Sequence, residues 1–162
     1  MFSGLTLINF GPEAQNSLQL THTGHFFVLK TCQRLIVLGY YRDLKVLLNN
    51  RLPKRIYYEN KAFSYLLEIM CGLHSKIMAE NEIAKQFKDA YRNFAELKLK
   101  NTTLLRIIEK LFKDYKYIRR EHLLGIGTKS YSSIVRNMIT RYTSTRSMTI
   151  LGSGQMAEDL IK

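Results

Sequence analysis

Two cations flank one of the two cysteines of the sequence. Cys32 lies in the stretch Thr31-Cys32-Gln33-Arg34, two residues after Lys30 and two residues before Arg34. A nearby cation lowers the pKa of a thiol from its ordinary value of about 8.5, and the thiolate is the nucleophile. On an extended strand both cations would share the face of Cys32. The pattern predicts a reactive thiol at Cys32, although a buried structural cysteine is the ordinary case on a strand.

A glycine pattern near residue 150 predicts a second site. It follows a short β-type run, Ser147 to Leu151, and precedes an apparent helix. Strand, glycine turn and helix in this order are typical of the first turn of a dinucleotide-binding domain, where glycines let the backbone approach a pyrophosphate. The candidate cofactor-binding residues are Gly152, Ser153, Gly154, Gln155, Met156 and Ala157.

The elements that position Cys32 are predicted to be strands. Apolar and β-branched runs predict strands at 5–10, 25–30, 35–41 and 56–59, so that Cys32 lies at a chain reversal. A helix is predicted to open at Pro12-Glu13-Ala14 and another to span Arg42 to Leu52 before Pro53. Apolar stripes with helical spacing run through 63–70, 83–94 and 104–118, and a further helix is predicted at 132–142.

These patterns predict an α+β fold. We expect an N-terminal α/β sandwich-like catalytic domain followed by helices, including a long linker helix, over residues 1–145. Residues 146–162 would begin a Rossmann fold, and the chain would be a fragment or a truncated form. Cys71 lies beside an apolar stripe and is interpreted as core packing.

The net charge of +12, from 25 Lys and Arg against 13 Asp and Glu, favours polyanionic partners, above all nucleic acid. The alternative is a Lys-rich protein of an AT-rich genome. Two cysteines without a disulfide framework suit the cytoplasm. No apolar run reaches the roughly 18 residues of a membrane span. The N-terminus has no signal-peptide pattern, and we predict no metal site.

Four segments together resemble the glutamyl-tRNA reductase family. They are TCQR (31–34), CGLHSKIMAENEIAKQFKDAY (71–91), the basic stretch and serine segment within 117–133, and ILGSGQMAEDLIK (150–162). The second is the most specific, because many positions recur at fixed spacing. The resemblance implies that a Cys thiolate attacks the ester of glutamyl-tRNA. Reduction of the thioester by NADPH then gives glutamate-1-semialdehyde, the first step of tetrapyrrole (5-aminolevulinate) biosynthesis.

The resemblance also assigns residues and partners. It makes Cys32 the nucleophile and places Tyr65 at a catalytic position. The planar fork of Arg34 would suit the substrate's side-chain carboxylate. Implied partners are glutamyl-tRNA, a second copy through a C-terminal domain, and glutamate-1-semialdehyde aminomutase. A basic stretch would contact tRNA phosphates, unless it is a solvated helix face: Lys113, Lys116, Arg119 and Arg120. The implied substrate-binding residues are Thr31, Gln33, Arg34, Ser75, Glu80, Asn81, Glu82 and Gln86.

The sequence departs from the family pattern at several positions. Tyr65 replaces a family histidine, and Tyr is a poor proton shuttle because its pKa is near about 10. Residues 4–11 replace the family's G-x-N-H-K-T-A-P, Gln33 replaces Asn and Ala79 replaces Gly. Two hypotheses therefore stay open: an enzyme, and a degenerate homologue that holds tRNA or a partner protein without reducing anything. A generic RNA-binding domain would not explain the ordered match at 80–91.

Overall fold

The computed structural model describes residues 2–17, 24–48, 52–76, 78–79, 81–126, 131–142, 149–152 and 154–161. Within these ranges the strands are β1 (Leu5–Phe10), β2 (Phe27–Thr31), β3 (Arg34–Tyr40) and β4 (Arg55–Tyr58). They form one antiparallel sheet in the order β2-β3-β1-β4. The four predicted strands are confirmed, with ends shifted by a residue or two.

Seven helices lie in the described ranges. They are α1 (Ala14–Ser17), α2 (Tyr41–Leu48), α3 (Glu59–Met70), α4 (Glu82–Glu96), α5 (Thr102–His122), α6 (Tyr131–Tyr142) and α7 (Gln155–Ile161). The predicted helix Arg42 to Leu52 is present as Tyr41–Leu48, residues 49–51 lie outside the described residues, and Leu52 is not helical. The predicted domain boundary at 145 and 146 also lies outside them.

Both faces of the sheet are covered, which is why every residue of β1 is buried. Successive side chains of a strand point to opposite faces. Leu5 and Leu7 therefore pack on one side, in a core built with α3, α4 and α5. Ile8 and Phe10 pack on the other side, in a smaller core that includes Leu44 of α2. The sandwich-like arrangement of the expected N-terminal part is thus present.

Helix α5 shows how the apolar stripes position the elements. The side chain of Asn101 accepts a hydrogen bond from the backbone N–H of Leu104 at 3.1 Å, which caps the first turn. Its buried stripe has the predicted spacing: Leu104, Ile107, Ile108, Leu111 and Tyr115. The helix packs against α3 and α4, so it fixes the loop that joins them.

Candidate active site around Cys32

Cys32 lies at the tip of a tight β-hairpin. Thr31 pairs with Arg34, so Cys32 and Gln33 alone connect β2 to β3. The Thr31 hydroxyl accepts hydrogen bonds from the backbone N–H groups of Gln33 (3.3 Å) and Arg34 (3.2 Å). These bonds satisfy two backbone N–H groups of the turn, so the Thr31 side chain stabilises the hairpin. The thiol of Cys32 is exposed, as a nucleophile requires.

The reversal decides how the two flanking cations lie, which the sequence leaves open at a turn. Thr31 and Arg34 are cross-strand partners, as are Lys30 and Leu35, and cross-strand partners share a face of the sheet. Lys30 and Arg34 therefore lie on opposite faces and do not flank the thiol together. Both cations would share the face of Cys32 only on one extended strand, whereas the chain folds back at Cys32.

Gln15 holds the hairpin from below. Its side-chain amide, in α1, donates to the carbonyl of Thr31 and also lies 3.5 Å from the carbonyl of Arg34. Sequence reasoning missed Gln15, because nothing in the sequence indicates that α1 packs beneath the turn. With Thr31, it fixes the backbone on which Cys32 is presented.

Arg34 ties the hairpin to the loop after α3. Its Nη2 donates to the backbone carbonyl of His74 at 2.7 Å and to Oε1 of Gln33 at 3.1 Å. The far end of the same loop is held by Arg119 of α5, whose Nη1 donates to the carbonyl of Ala79 at 2.8 Å. The two arginines therefore hold the described loop residues His74 and Ala79, one against the sheet and the other against α5.

The backbone conformation of Ala79 explains why the family pattern has glycine at this position. Its φ is 57°, in the left-handed region that favours glycine, and its side chain is fully buried. A left-handed residue costs an alanine about 1–2 kcal/mol, whereas a buried methyl group recovers about 0.8 kcal/mol. Either residue is therefore compatible with this loop.

Tyr65 of α3 lies at the centre of a ring cluster. It stacks on Tyr57 of β4 with ring centroids 4.1 Å apart, and its ring lies 4.9 Å from that of His74. Its hydroxyl accepts a hydrogen bond from Nδ2 of Asn9 at 2.9 Å. Burial raises the pKa of Tyr65, and Tyr57 adds to this, although the charge of Arg34 opposes it. Tyr65 is therefore a neutral phenol at neutral pH.

Asn9 leaves one polar atom unsatisfied beside Tyr65. Its Oδ1 is buried and has no hydrogen-bond partner within the described ranges. An unsatisfied buried polar atom costs about 1–3 kcal/mol, so such atoms call for an explanation. Asn9 is the one polar residue besides Thr6 in a strand that reads LTLINF. A polar residue in such an apolar strand is the sequence signal that could have indicated Asn9.

His74 and Glu68 form a pair that sequence reasoning also missed. Nε2 of His74 lies 2.7 Å from Oε2 of Glu68, and both side chains are partly exposed. Six residues separate them, so no helical spacing indicates the contact. It arises because the chain leaves α3 at Met70 and turns back over its last residues.

The remaining predicted substrate-binding residues lie around this loop. Ser75 is half-buried next to His74, and its backbone N–H donates to the carbonyl of Gly72 at 3.2 Å. Asn81 and Glu82 are exposed where α4 begins. Glu80 lies outside the described residues. Ser75 lies in the loop and Glu82 begins α4, so the two residues do not share a helix.

Gln86 lies on a separate surface. It lines an open groove of about 300 Å³ between α4 and the edge strand β2, together with Lys30, Asp89 and Asn93. The other lining residues are Phe26, Val28, Ala90 and Phe94. Lys30 therefore lines this groove, on the face of the sheet opposite to Arg34.

The predicted glycine turn near residue 150 is described only in part. Gly152 has φ 119°, and the carbonyl of Gly154 accepts from the N–H of Ala157 at 2.8 Å, which starts α7. Residues 149–151 form no strand with any described residue. Ser153 lies outside the described residues, as do the side chains of Gln155 and Met156.

Cys71 is buried, as expected for core packing. Burial raises the pKa of its thiol, although the charge of Arg119 opposes the shift. In the described part of the chain, no three or more His, Cys, Asp or Glu side chains are grouped to hold a metal. No helix among the described residues is long and apolar enough to cross a membrane.

Comparison with known proteins points to one family. A family model for the N-terminal domain of glutamyl-tRNAGlu reductase matches residues 10–122. The glutamyl-tRNA reductase of Thermoplasma acidophilum is 27% identical over 150 residues, which are 88% of this chain and 34% of that protein. That of Clostridium beijerinckii is 34% identical over 101 residues, which are 62% of this chain and 25% of that protein.

A solved structure shows the same fold. Glutamyl-tRNA reductase from Methanopyrus kandleri matches with a TM-score of 0.65 over 98% of this chain and 45% of that chain, at 21% identity. The predicted α+β class is thereby confirmed. The chain spans no more than 34% of the two relatives above. Because the family model covers well over half of its 162 residues, the chain belongs to the glutamyl-tRNA reductase family.

Proposed function

We propose that the chain carries the acyl-transfer chemistry of a glutamyl-tRNA reductase. Cys32 attacks the ester carbonyl of glutamyl-tRNA, an S–C bond forms, and the ribose oxygen of the tRNA leaves. The observation that carries this proposal is the exposed thiol of Cys32 at a hairpin tip fixed by Thr31, Gln15 and Arg34. A fixed nucleophile beside a charged anchor is the arrangement that such a step needs.

Arg34 is the proposed anchor for the side-chain carboxylate of the glutamyl group. Its guanidinium is only partly exposed and lies between the hairpin and the His74 loop. A charge-assisted bond at such a place is stronger than a neutral one. Ser75 follows His74 in the same loop and is half-buried, so its hydroxyl is a further proposed contact.

The other proposed contacts surround these residues. They are Thr31, Gln33, Glu80, Asn81, Glu82 and Gln86. Asn81 and Glu82 lie at the start of α4, on the loop that Arg34 and Arg119 hold. Gln86 lines the neighbouring groove, where the acceptor end of the tRNA would lie.

The cofactor we propose is NADPH, which supplies a hydride for reduction of the thioester to glutamate-1-semialdehyde. A Cβ built on Gly152 or Gly154 would meet nothing within 4 Å, so the turn leaves room for a close approach of phosphate. The two glycines and Ala157 would therefore hold the pyrophosphate. Reduction by the whole protein would place it at the start of tetrapyrrole biosynthesis.

The charge of +12 fits a tRNA substrate. Lys113, Lys116 and Arg120 are exposed and share one face of α5, since they are spaced by three and four residues. Arg119 is instead engaged with Ala79, so it supports the loop. We expect a cytoplasmic protein, a homodimer formed through a further domain, and transfer of the semialdehyde to its aminomutase.

A degenerate homologue that only binds tRNA is the second candidate. The observation that favours it is Tyr65, a neutral phenol where the family pattern has a histidine. Such a protein would bind glutamyl-tRNA but would not release glutamate through Cys32.

Release of free glutamate from charged tRNA, with and without NADPH, distinguishes the two. Cys32→Ser should abolish release, whereas the matched control Cys71→Ser, in the core, should retain it if the fold survives. Binding of glutamyl-tRNA without any Cys32-dependent release would establish the second candidate.

A further inference from the structure

We propose that His74, oriented by Glu68, carries the thiol proton of Cys32 to the departing ribose oxygen. The inference rests on the proposed function and adds a residue that the family resemblance does not supply. It assigns a chemical role to a contact that has no other evident one, since an exposed polar pair of this kind adds little to stability.

The geometry of the pair selects one tautomer. Nε2 of His74 lies 2.7 Å from Oε2 of Glu68, and a carboxylate can only accept a hydrogen bond. The proton of the neutral imidazole is therefore placed on Nε2. Nδ1 keeps its lone pair, and it has no hydrogen-bond partner among the residues that the structure describes. A carboxylate that fixes an imidazole in this way is the arrangement used for general bases.

The position of His74 follows from the hairpin itself. Arg34, which closes the hairpin turn, donates to the backbone carbonyl of His74 at 2.7 Å. The imidazole is thereby attached through one side chain to the turn that presents Cys32. Its side chain is 36% exposed, so its open nitrogen is accessible to a bound ester.

The neighbouring groups cannot take the proton at neutral pH. Tyr65, whose ring lies 4.9 Å away, is a neutral phenol because burial raises its pKa. The guanidinium of Arg34 has N–H donors and no acceptor atom. The other histidines in the described ranges, His25 and His122, lie before β2 and at the end of α5. Imidazole is the side chain best suited to exchange protons near pH 7.

The step balances without an added reactant. Nδ1 of His74 takes the proton from the thiol as the S–C bond forms. The C–O bond to the ribose then breaks, and the same proton passes from Nδ1 to the ribose oxygen. The imidazole ends neutral, nothing is oxidised or reduced, and the products are the Cys32 thioester and uncharged tRNA.

The test is a single-turnover measurement of acyl transfer from glutamyl-tRNA to the 162-residue chain. We expect His74→Ala to lower the rate by about 100-fold or more, the range of general acid–base catalysis. Free imidazole in the buffer should raise the rate of the His74→Ala variant by at least about tenfold, because it can occupy the space that the missing side chain leaves. Glu68→Gln should lower the rate by about tenfold. His122→Ala is the matched control and should leave it unchanged.

A purely structural role for His74 would not respond to added imidazole. The inference is overturned if His74→Ala stays within about threefold of the unmodified chain, or if its loss is not recovered by imidazole. Failure of the proposed function has a different signature. In that case the unmodified chain transfers no acyl group, or Cys32→Ser transfers it as fast.

Discussion

Cys32 should react with iodoacetamide at least about a hundredfold faster than Cys71. Cys32 is exposed at the hairpin tip, whereas Cys71 is only 1% exposed and burial raises the pKa of its thiol. Only the thiolate reacts, so both effects slow Cys71. It can react only when the core around it opens. An opening free energy of even about 3 kcal/mol lowers the rate about 150-fold, since about 1.4 kcal/mol is a factor of ten.

The assay is brief labelling at pH 7, followed by digestion and mass measurement of the two cysteine-containing peptides. Denatured chain is the control, because both thiols should then react at similar rates. Labelling of Cys71 as fast as Cys32 under native conditions would contradict the exposure of Cys32 at the hairpin tip. Cys32→Ser should abolish rapid labelling without changing the slow phase.

Three further predictions test other parts of the structure. Replacing Lys113, Lys116 and Arg120 by Gln should reduce the slope of log affinity for tRNA against log salt by about 2 to 3, as loss of three phosphate contacts requires; an unchanged slope would contradict a tRNA role for this face. Asn101→Ala should lower the free energy of unfolding in urea by about 1 kcal/mol, whereas Asn101→Asp should keep the cap; equal losses would contradict the capping bond. Burial raises the pKa of Tyr115, so its stabilising contribution is complete below about pH 10 and is lost as the pH rises further. Tyr115→Phe should therefore flatten the alkaline loss of stability by up to about 1.4 kcal/mol per pH unit, and an unchanged slope would contradict it.

Local patterns predicted the elements because the two faces of the sheet and the helical stripes need apolar residues at fixed spacing. The chain reversal at Cys32 was predicted for the same reason, since two apolar runs flank a polar interruption. The sequence did not reveal which cation shares the face of the thiol. That depends on the turn length, and a two-residue connection puts Lys30 and Arg34 on opposite faces.

The cluster behind the hairpin could not be predicted from local spacing. Asn9, Tyr65 and His74 come from a strand, a helix and a loop, and they meet only because α3 packs across β1 and β4. Each residue alone is an ordinary polar or aromatic position. Contacts of this kind depend on tertiary packing, so the sequence indicated Cys32 and Tyr65 as candidate residues but not that Asn9 and His74 would lie against Tyr65.

The N–H groups of Arg34 determine whether it can hold the loop of His74 and also bind a carboxylate. Nη2 carries two hydrogens, and both are engaged: one bonds the carbonyl of His74 and the other bonds Oε1 of Gln33. A carboxylate bound through both Nη atoms must therefore displace one of these acceptors. The bond to Gln33 is longer, at 3.1 Å against 2.7 Å, and it joins side chains that are free to rearrange.

Displacement of Gln33 would leave the bond to His74 intact. A carboxylate adds the attraction of an opposite charge, which the neutral amide of Gln33 lacks, so the exchange would favour the proposed substrate. Gln33 would then occupy the anchor only while the site is empty. On the proposed function, Arg34 would therefore hold the loop of His74 in place and receive the glutamyl carboxylate at the same time.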